Sequence, residues 1–204
     1  MQKRILIINN ETHFINDLIT ALSQYQIEIR DFQTVQPIDV EGFDCVILSG
    51  GGTAGEVSDS KQLYKSEIKI VRESNVPIFG ICKGFQIIGK AFNSDFKILE
   101  DYRHGVNNVR ILVDDPIFRG IEKLELRVFE YHHIAIEHLS DELISLAVSD
   151  DGIEVMRHKN KLIYSSQFHP EELQDGNNGH GELILNCSAG AFRYETISKL
   201  LDVI

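Results

Sequence analysis

Three side chains in this sequence have the types and settings that nucleophilic catalysis requires: Cys82, His169 and Glu171. Cys82 lies in Val76-Pro77-Ile78-Phe79-Gly80-Ile81-Cys82-Lys83-Gly84-Phe85-Gln86. The short apolar run after the proline reads as a buried strand. Directly afterwards Phe85, Ile88 and Phe92 recur at helical spacing, with Ile87 and Ala91 beside them. A thiol therefore stands at a strand–turn–helix corner with a glycine two residues away on each side. This is the cysteine counterpart of the G-x-S-x-G nucleophile elbow. Glycines suit such a corner because side chains would clash with the strand, the helix or a ligand. The unpaired N–H groups and positive dipole end of a helix N-terminus also favour a thiolate there.

A thiol nucleophile needs a base, and the base needs an acceptor that orients its other ring nitrogen. Leu162-Ile163-Tyr164-Ser165-Ser166-Gln167-Phe168 reads as a strand that ends at His169-Pro170-Glu171-Glu172. If the two strand ends meet at one sheet edge, Cys82, His169 and Glu171 supply nucleophile, base and orienter. A lone His-x-Glu would otherwise be a polar loop. The other two cysteines read as small buried hydrophobes: Cys45 sits inside the apolar run 43–48, and Cys187 shares a helical face with Leu183, Ile184 and Ala191.

The elements that must position these groups alternate between strand and helix. Residues 4–9, 27–32 and 44–48 read as strands, and Phe14, Ile15, Leu18, Ile19 and Leu22 form a helical face that Asn10 or Thr12 could cap. The alternation predicts an α/β fold: a single-domain, flavodoxin-like doubly wound, mostly parallel sheet with flanking helices, spanning residues 1–204. Its ligand site would lie at the C-terminal strand ends. The third strand runs into the glycine-rich loop Ser49-Gly50-Gly51-Gly52-Thr53-Ala54-Gly55, and a helix with Leu63, Tyr64, Ile68 and Val71 follows. Backbone N–H groups in such a loop can cradle an anion, but neither nucleotide-type glycine spacing is present. Further along, Asp101-Tyr102-Arg103-His104-Gly105 reads as a surface loop. Strands are expected at 106–113, 124–129, 143–148 and 153–156, and a last helix over 192–204.

Composition bounds the partners. The 204 residues are 43% hydrophobic and 25% charged, as in a soluble globular domain. Lys and Arg total 20 against 31 Asp and Glu, a net charge of −11. That balance disfavours nucleic acid and anionic membrane as general partners. No apolar run has membrane-spanning length, and Met1-Gln2-Lys3-Arg4 leads into an apolar stretch too short for a signal segment. Three scattered cysteines make no disulfide framework, so a cytoplasmic setting is expected. His132-His133 suggests metal, but no carboxylate or third histidine stands at ligand spacing nearby, so neither metal nor cofactor is expected.

Phe79-Gly80-Ile81-Cys82-Lys83-Gly84-Phe85-Gln86 together with Gln167-Phe168-His169-Pro170-Glu171 resembles the class I glutamine amidotransferase family. Leu48-Ser49-Gly50-Gly51-Gly52 is similar to that family's S-G-G-P segment. The resemblance implies a Cys-His-Glu triad in which Cys82 attacks the glutamine side-chain amide, His169 shuttles the proton and Glu171 orients His169. The backbone N–H groups of Gly51 and Lys83 match the oxyanion hole. Gln86 matches a residue that holds the substrate. Tyr131-His132-His133 is similar to a Y-H-S segment whose backbone contacts the substrate, with His133 in the place of serine. Gly52 stands where proline is common, and Lys83 where a bulky apolar or aromatic residue is usual. The Lys83 side chain is expected to point to solvent.

The activity so implied is hydrolysis of glutamine, through a cysteine thioester, to glutamate and ammonia for a synthetase partner on a separate chain. The segments around His169 and over 124–155 look most like the glutaminase portion of GMP synthetases, then anthranilate synthase glutaminases. Two alternatives remain: a free-standing hydrolase of γ-glutamyl amides or peptides, and a non-enzymatic regulatory or binding subunit. An intact triad argues against the second.

Overall fold

In the computed structural model, residues 2–51, 63–118 and 124–172 are described. Cys187, the helix expected over 192–204 and the loop residues from Gly52 to Gly55 lie outside them. In the N-terminal half each apolar run becomes a strand and each 3.6-period stretch a helix. The order is β1 (Arg4–Asn10), α1 (Ile15–Ala21), β2 (Gln26–Asp31), β3 (Cys45–Gly51), α2 (Lys65–Glu73), β4 (Ile78–Ile81) and α3 (Lys83–Ala91). Then follow β5 (Asp95–Ile111), β6 (Glu125–His138), β7 (Leu143–Ser149), β8 (Gly152–His158) and β9 (Ile163–Ser166). The nine strands form one sheet in the order β2-β1-β3-β4-β9-β8-β6-β5-β7.

The expected doubly wound, mostly parallel sheet is not what this chain forms. Four strand pairings are parallel, β1 with β2 and β3, and β4 with β3 and β9. Five are antiparallel: β5 with β6 and β7, β8 with β6, β7 and β9. Pairing of β7 with both β5 and β8 closes β8, β6, β5 and β7 into a ring. Only three α-helices occur among the described residues. The cause lies in the connections. A parallel neighbour needs a crossover of a dozen or so residues, but β7 reaches β8 through Asp150 and Asp151 alone, and β8 reaches β9 through residues 159–162. Links that short force adjacent strands to run antiparallel.

The expected loop 101–105 is instead the middle of β5, where Arg103 pairs with His132 and His104 with Tyr131. A register shift between Ile98 and Arg103 interrupts the ladder there. Antiparallel strands can keep one face in water, so polar residues do not end them.

Strand alternation divides the packing. Leu6, Ile8, Val46, Leu48 and Ile78 face Ile70, Val71, Phe85 and Ile88 of α2 and α3. Ile5, Ile7, Ile47, Phe79 and Ile81 face Leu18 and Leu22 on the other side. Val109, Leu126, Val128, Leu146 and Val155 form a third cluster inside the antiparallel ring, with Phe168. Neither Asn10 nor Thr12 is the N-cap of α1; Phe14 occupies that position, and Thr12 Oγ1 accepts the Phe14 N–H at 3.2 Å.

Helix α3 lies unusually close to the sheet. A Cβ on Gly80 would come within 2.7 Å of the Gly84 carbonyl carbon, and one on Gly84 would collide with the Leu48 carbonyl oxygen. At its far end Asn93 has φ 61°, with Asn93 N–H donating to Lys90 O and Ser94 N–H to Gly89 O, a Schellman stop. Gly84→Ala should therefore lower stability by about 3 kcal/mol in urea denaturation, the upper end for overpacking. Asn93→Gly should change it by less than about 0.5 kcal/mol. Equal effects of the two would contradict the close-approach account.

Candidate active site

The end of β4 turns directly into α3 at Cys82, whose backbone has φ 47° and ψ −93°. A non-glycine residue at positive φ is strained, and such strain gathers at functional sites. The corner is held from both sides: Cys82 N–H donates to Ser166 O at 2.8 Å, and Gln86 N–H donates to Cys82 O at 3.1 Å. Its thiol contacts the Tyr131 carbonyl oxygen at 3.5 Å, and Gln167 Nε2 donates to the sulfur at 3.7 Å.

β9 runs parallel to β4, so the chain beyond Ser166 emerges at the edge where Cys82 stands. His169 is fixed there by its N–H bond to Phe129 O at 2.9 Å. Its Nδ1 lies 2.9 Å from Glu171 Oε1, and both side chains are buried. A carboxylate accepts, so Nδ1 carries the proton and Nε2 is the nitrogen left for Cys82. The Phe14 ring packs against the imidazole with centroids 4.7 Å apart. Gly50 backs the ring so closely that a Cβ there would lie 2.7 Å from His169 Cε1.

Burial alone would push the His169 pKa down. Glu171 and Cys82 outweigh it and bring the imidazole up to about 10. Among the remaining thiols, Cys45 is fully buried, and burial raises its pKa far above that of an ordinary thiol.

The expected oxyanion pair lies together. Gly51 ends β3 beside Lys83, the first residue of α3; a Cβ on Gly51 would meet Lys83 Cγ at 3.0 Å. Behind it, Asn10 binds Ser49 twice: its N–H donates to Oγ at 2.8 Å, and its Nδ2 donates to the carbonyl at 3.2 Å. Asn10 Nδ2 also donates to Glu67 at 3.1 Å, a carboxyl whose burial raises its pKa to about 8. The Lys83 side chain does not point to solvent. It is 9% exposed, lying along Gly51, because α3 is buried on almost every side.

Gln86 is buried, and its Nε2 reaches the Ile134 carbonyl at 3.4 Å. His133 lies on β6 and stacks on Tyr102 at 5.6 Å. Sequence reasoning assigned no role to Gln167 or Phe14. Gln167 was legible only as part of the His169 motif, and Phe14 only as a core position of α1.

The sequence matches the model of the family described as "Glutamine amidotransferase class-I" over residues 6–181. The chain belongs to the class-I glutamine amidotransferases. It is 30% identical to a glutamine-hydrolysing GMP synthase subunit of Pyrococcus abyssi, over 89% of this chain and 94% of that protein. It is 32% identical to the protein of the same name in Methanothermobacter thermautotrophicus, over 82% and 88%. A crystal structure from Thermoplasma acidophilum shares the fold at a TM-score of 0.83 and 23% identity, covering 100% of this chain and 96% of the other. This amidotransferase has no helix among its described residues long and apolar enough to cross a membrane.

The His169–Glu171 pairing sets a pH window. The folded pKa lies above the ordinary 6.5, so the pairing contributes stability that is fully present below pH 6.5 and lost as pH rises through about 10. The stability difference between wild type and Glu171→Gln should thus be largest near about pH 6 and shrink steadily toward about pH 10 in urea titrations. A difference that stays flat over that range would contradict the pairing.

Proposed function

We propose that this chain is the glutaminase subunit of a two-chain glutamine-dependent synthetase of the GMP synthase type. Cys82 Sγ attacks the glutamine side-chain amide carbon to form a tetrahedral intermediate. The Gly51 and Lys83 N–H groups receive the developing oxyanion, where preorganised donors are worth most. His169, whose raised pKa favours the imidazolium, holds the thiol's proton on Nε2 and gives it to the departing ammonia, leaving a γ-glutamyl thioester on Cys82. Water, deprotonated by the same nitrogen, then releases glutamate. Glu171 holds Nδ1–H and stabilises the imidazolium, as the third member of such triads does. Gln86 and the backbone of the Tyr131–His133 segment would bind the substrate's α-amino-acid end. Gln167, aimed at the sulfur, would position it.

The observation that carries this reading is the strained Cys82 corner facing a buried, Glu-paired histidine across the β4–β9 edge. The ammonia-consuming partner is inferred from the relatives, whose names describe a glutamine-hydrolysing subunit of GMP synthase and most of whose length this chain covers.

The purified chain should convert glutamine to equal amounts of glutamate and ammonia, and a copurified synthetase chain should accelerate the reaction. Cys82→Ala and His169→Ala should each cost at least about three orders of magnitude in kcat, with the double variant no worse than either, since the groups act as a unit. Turnover of γ-glutamyl peptides but not glutamine would transfer the reading to a free-standing hydrolase. Turnover surviving His169→Ala would overturn the assigned base.

A further inference from the structure

β6 and β8 bring together three side chains that the chemistry above does not use. Glu130 and His132 point to one face of β6, as residues two apart must, and Glu154 reaches them from β8. Their ligand atoms all lie within 4.8 Å of one another. The three are buried, at 1%, 3% and 0% exposed.

Each already has one atom committed elsewhere. His132 Nδ1 lies 3.1 Å from the Ile134 carbonyl oxygen. A carbonyl only accepts, so the ring proton is on Nδ1. Asn107 Nδ2 donates to Glu130 Oε2 at 3.0 Å, and Ser149 Oγ donates to Glu154 Oε1 at 2.7 Å. What remains is His132 Nε2, Glu130 Oε1 and Glu154 Oε2, none of which has a hydrogen-bond partner. His132 Nε2 and Glu130 Oε2 are 3.6 Å apart, too far for a hydrogen bond. A lone pair and two carboxylates thus converge with no donor among them. Such an arrangement is costly in a protein interior unless a positive centre lies between the groups.

The surrounding bonds follow the pattern of metal ligation, in which the histidine's other N–H goes to a carbonyl and the carboxylates are themselves hydrogen-bonded. One imidazole and two carboxylates match a divalent first-row ion such as Mn²⁺ or Zn²⁺ better than Ca²⁺ or Mg²⁺, which prefer oxygen alone. Two carboxylates also balance its charge. A cavity of about 320 Å³, lined by Arg103, Asn107, Glu130, Asp150 and Asp151, opens beside Glu130.

We propose that Glu130, His132 and Glu154 bind one divalent transition-metal ion of the Mn²⁺ or Zn²⁺ class. The site is structural rather than catalytic. It would stiffen the part of β6 whose Phe129 and Tyr131 carbonyls receive the His169 N–H and the Cys82 thiol.

The test uses the full chain carrying Cys82→Ser, so that the thiol and His169 offer no competing site, and Mn²⁺ alone, which thiolates bind poorly. Equilibrium dialysis with elemental analysis should give one Mn²⁺ per chain, and electron spin echo spectra should show nitrogen coupling from one imidazole. Added Mn²⁺ should raise Tm saturably. Glu154→Gln, which can keep the Ser149 bond, should weaken binding at least about 100-fold, as loss of a ligand exceeds loss of its supporting bonds. Absence of stoichiometric Mn²⁺ or of nitrogen coupling in the Cys82→Ser chain would overturn the proposal without recourse to the second variant. So would binding unchanged by Glu154→Gln, or a Glu154→Gln chain as stable as its parent at saturating Mn²⁺, because a proton would then close the cluster.

Discussion

Everything at this site depends on one backbone conformation, Cys82 at φ 47° and ψ −93°. A side chain in that region costs about 1–3 kcal/mol, and the surrounding structure is arranged to impose it. Gly80 and Gly84 let strand and helix cross at backbone contact, with Leu48 O directly against Gly84. The Cys82 N–H is bound by Ser166 on β9, the strand that also delivers His169. Any relaxation of the corner would therefore disturb Cys82 and His169 together. The same closeness fixes the neighbouring residue: with α3 buried on almost all sides, Lys83 lies along Gly51 instead of extending into water.

The electrostatics of His169 follow from where the parallel and antiparallel halves of the sheet meet. β9 pairs with β4 on one side and β8 on the other, so His169 leaves a strand with neighbours on both edges. Burial there would neutralise an isolated imidazole. Glu171, two residues on and also buried, reverses the sign of the shift. The antiparallel half contributes through β6, whose Phe129 and Tyr131 carbonyls reach His169 and Cys82. A purely parallel sheet would have supplied the corner and the histidine but not this third wall.

The local parts of the site were legible because their signals are local. The apolar run 78–81, the flanking glycines and the 3.6-period of Phe85, Ile88 and Phe92 specify a corner from about a dozen neighbouring residues. The sheet's direction was not legible in the same way. Each apolar run looks alike whether its partner runs with it or against it, and what decides is connection length. Asp150 and Asp151, followed by Gly152 at φ 138°, leave only two residues between β7 and β8, which makes them a hairpin. Polarity also misled over 101–105, since a half-solvated antiparallel strand tolerates charges that a buried parallel one excludes. Long-range pairs such as Glu154 with His132, or Gln167 with Cys82, have no sequence signature at all. They exist only once β8 is in register with β6, and β9 with β4.

The central claim is that the strained corner makes one thiol of this chain a nucleophile served by His169. The most direct measurement is modification by a glutamine-like chloromethyl ketone, followed by peptide mapping in the folded protein, for wild type and His169→Ala. Cys82 should be modified stoichiometrically and Cys45 spared, with the rate at Cys82 falling at least about 100-fold in His169→Ala, as loss of a paired base requires. Modification of Cys45 as fast as Cys82, or a Cys82 rate indifferent to His169, would contradict it.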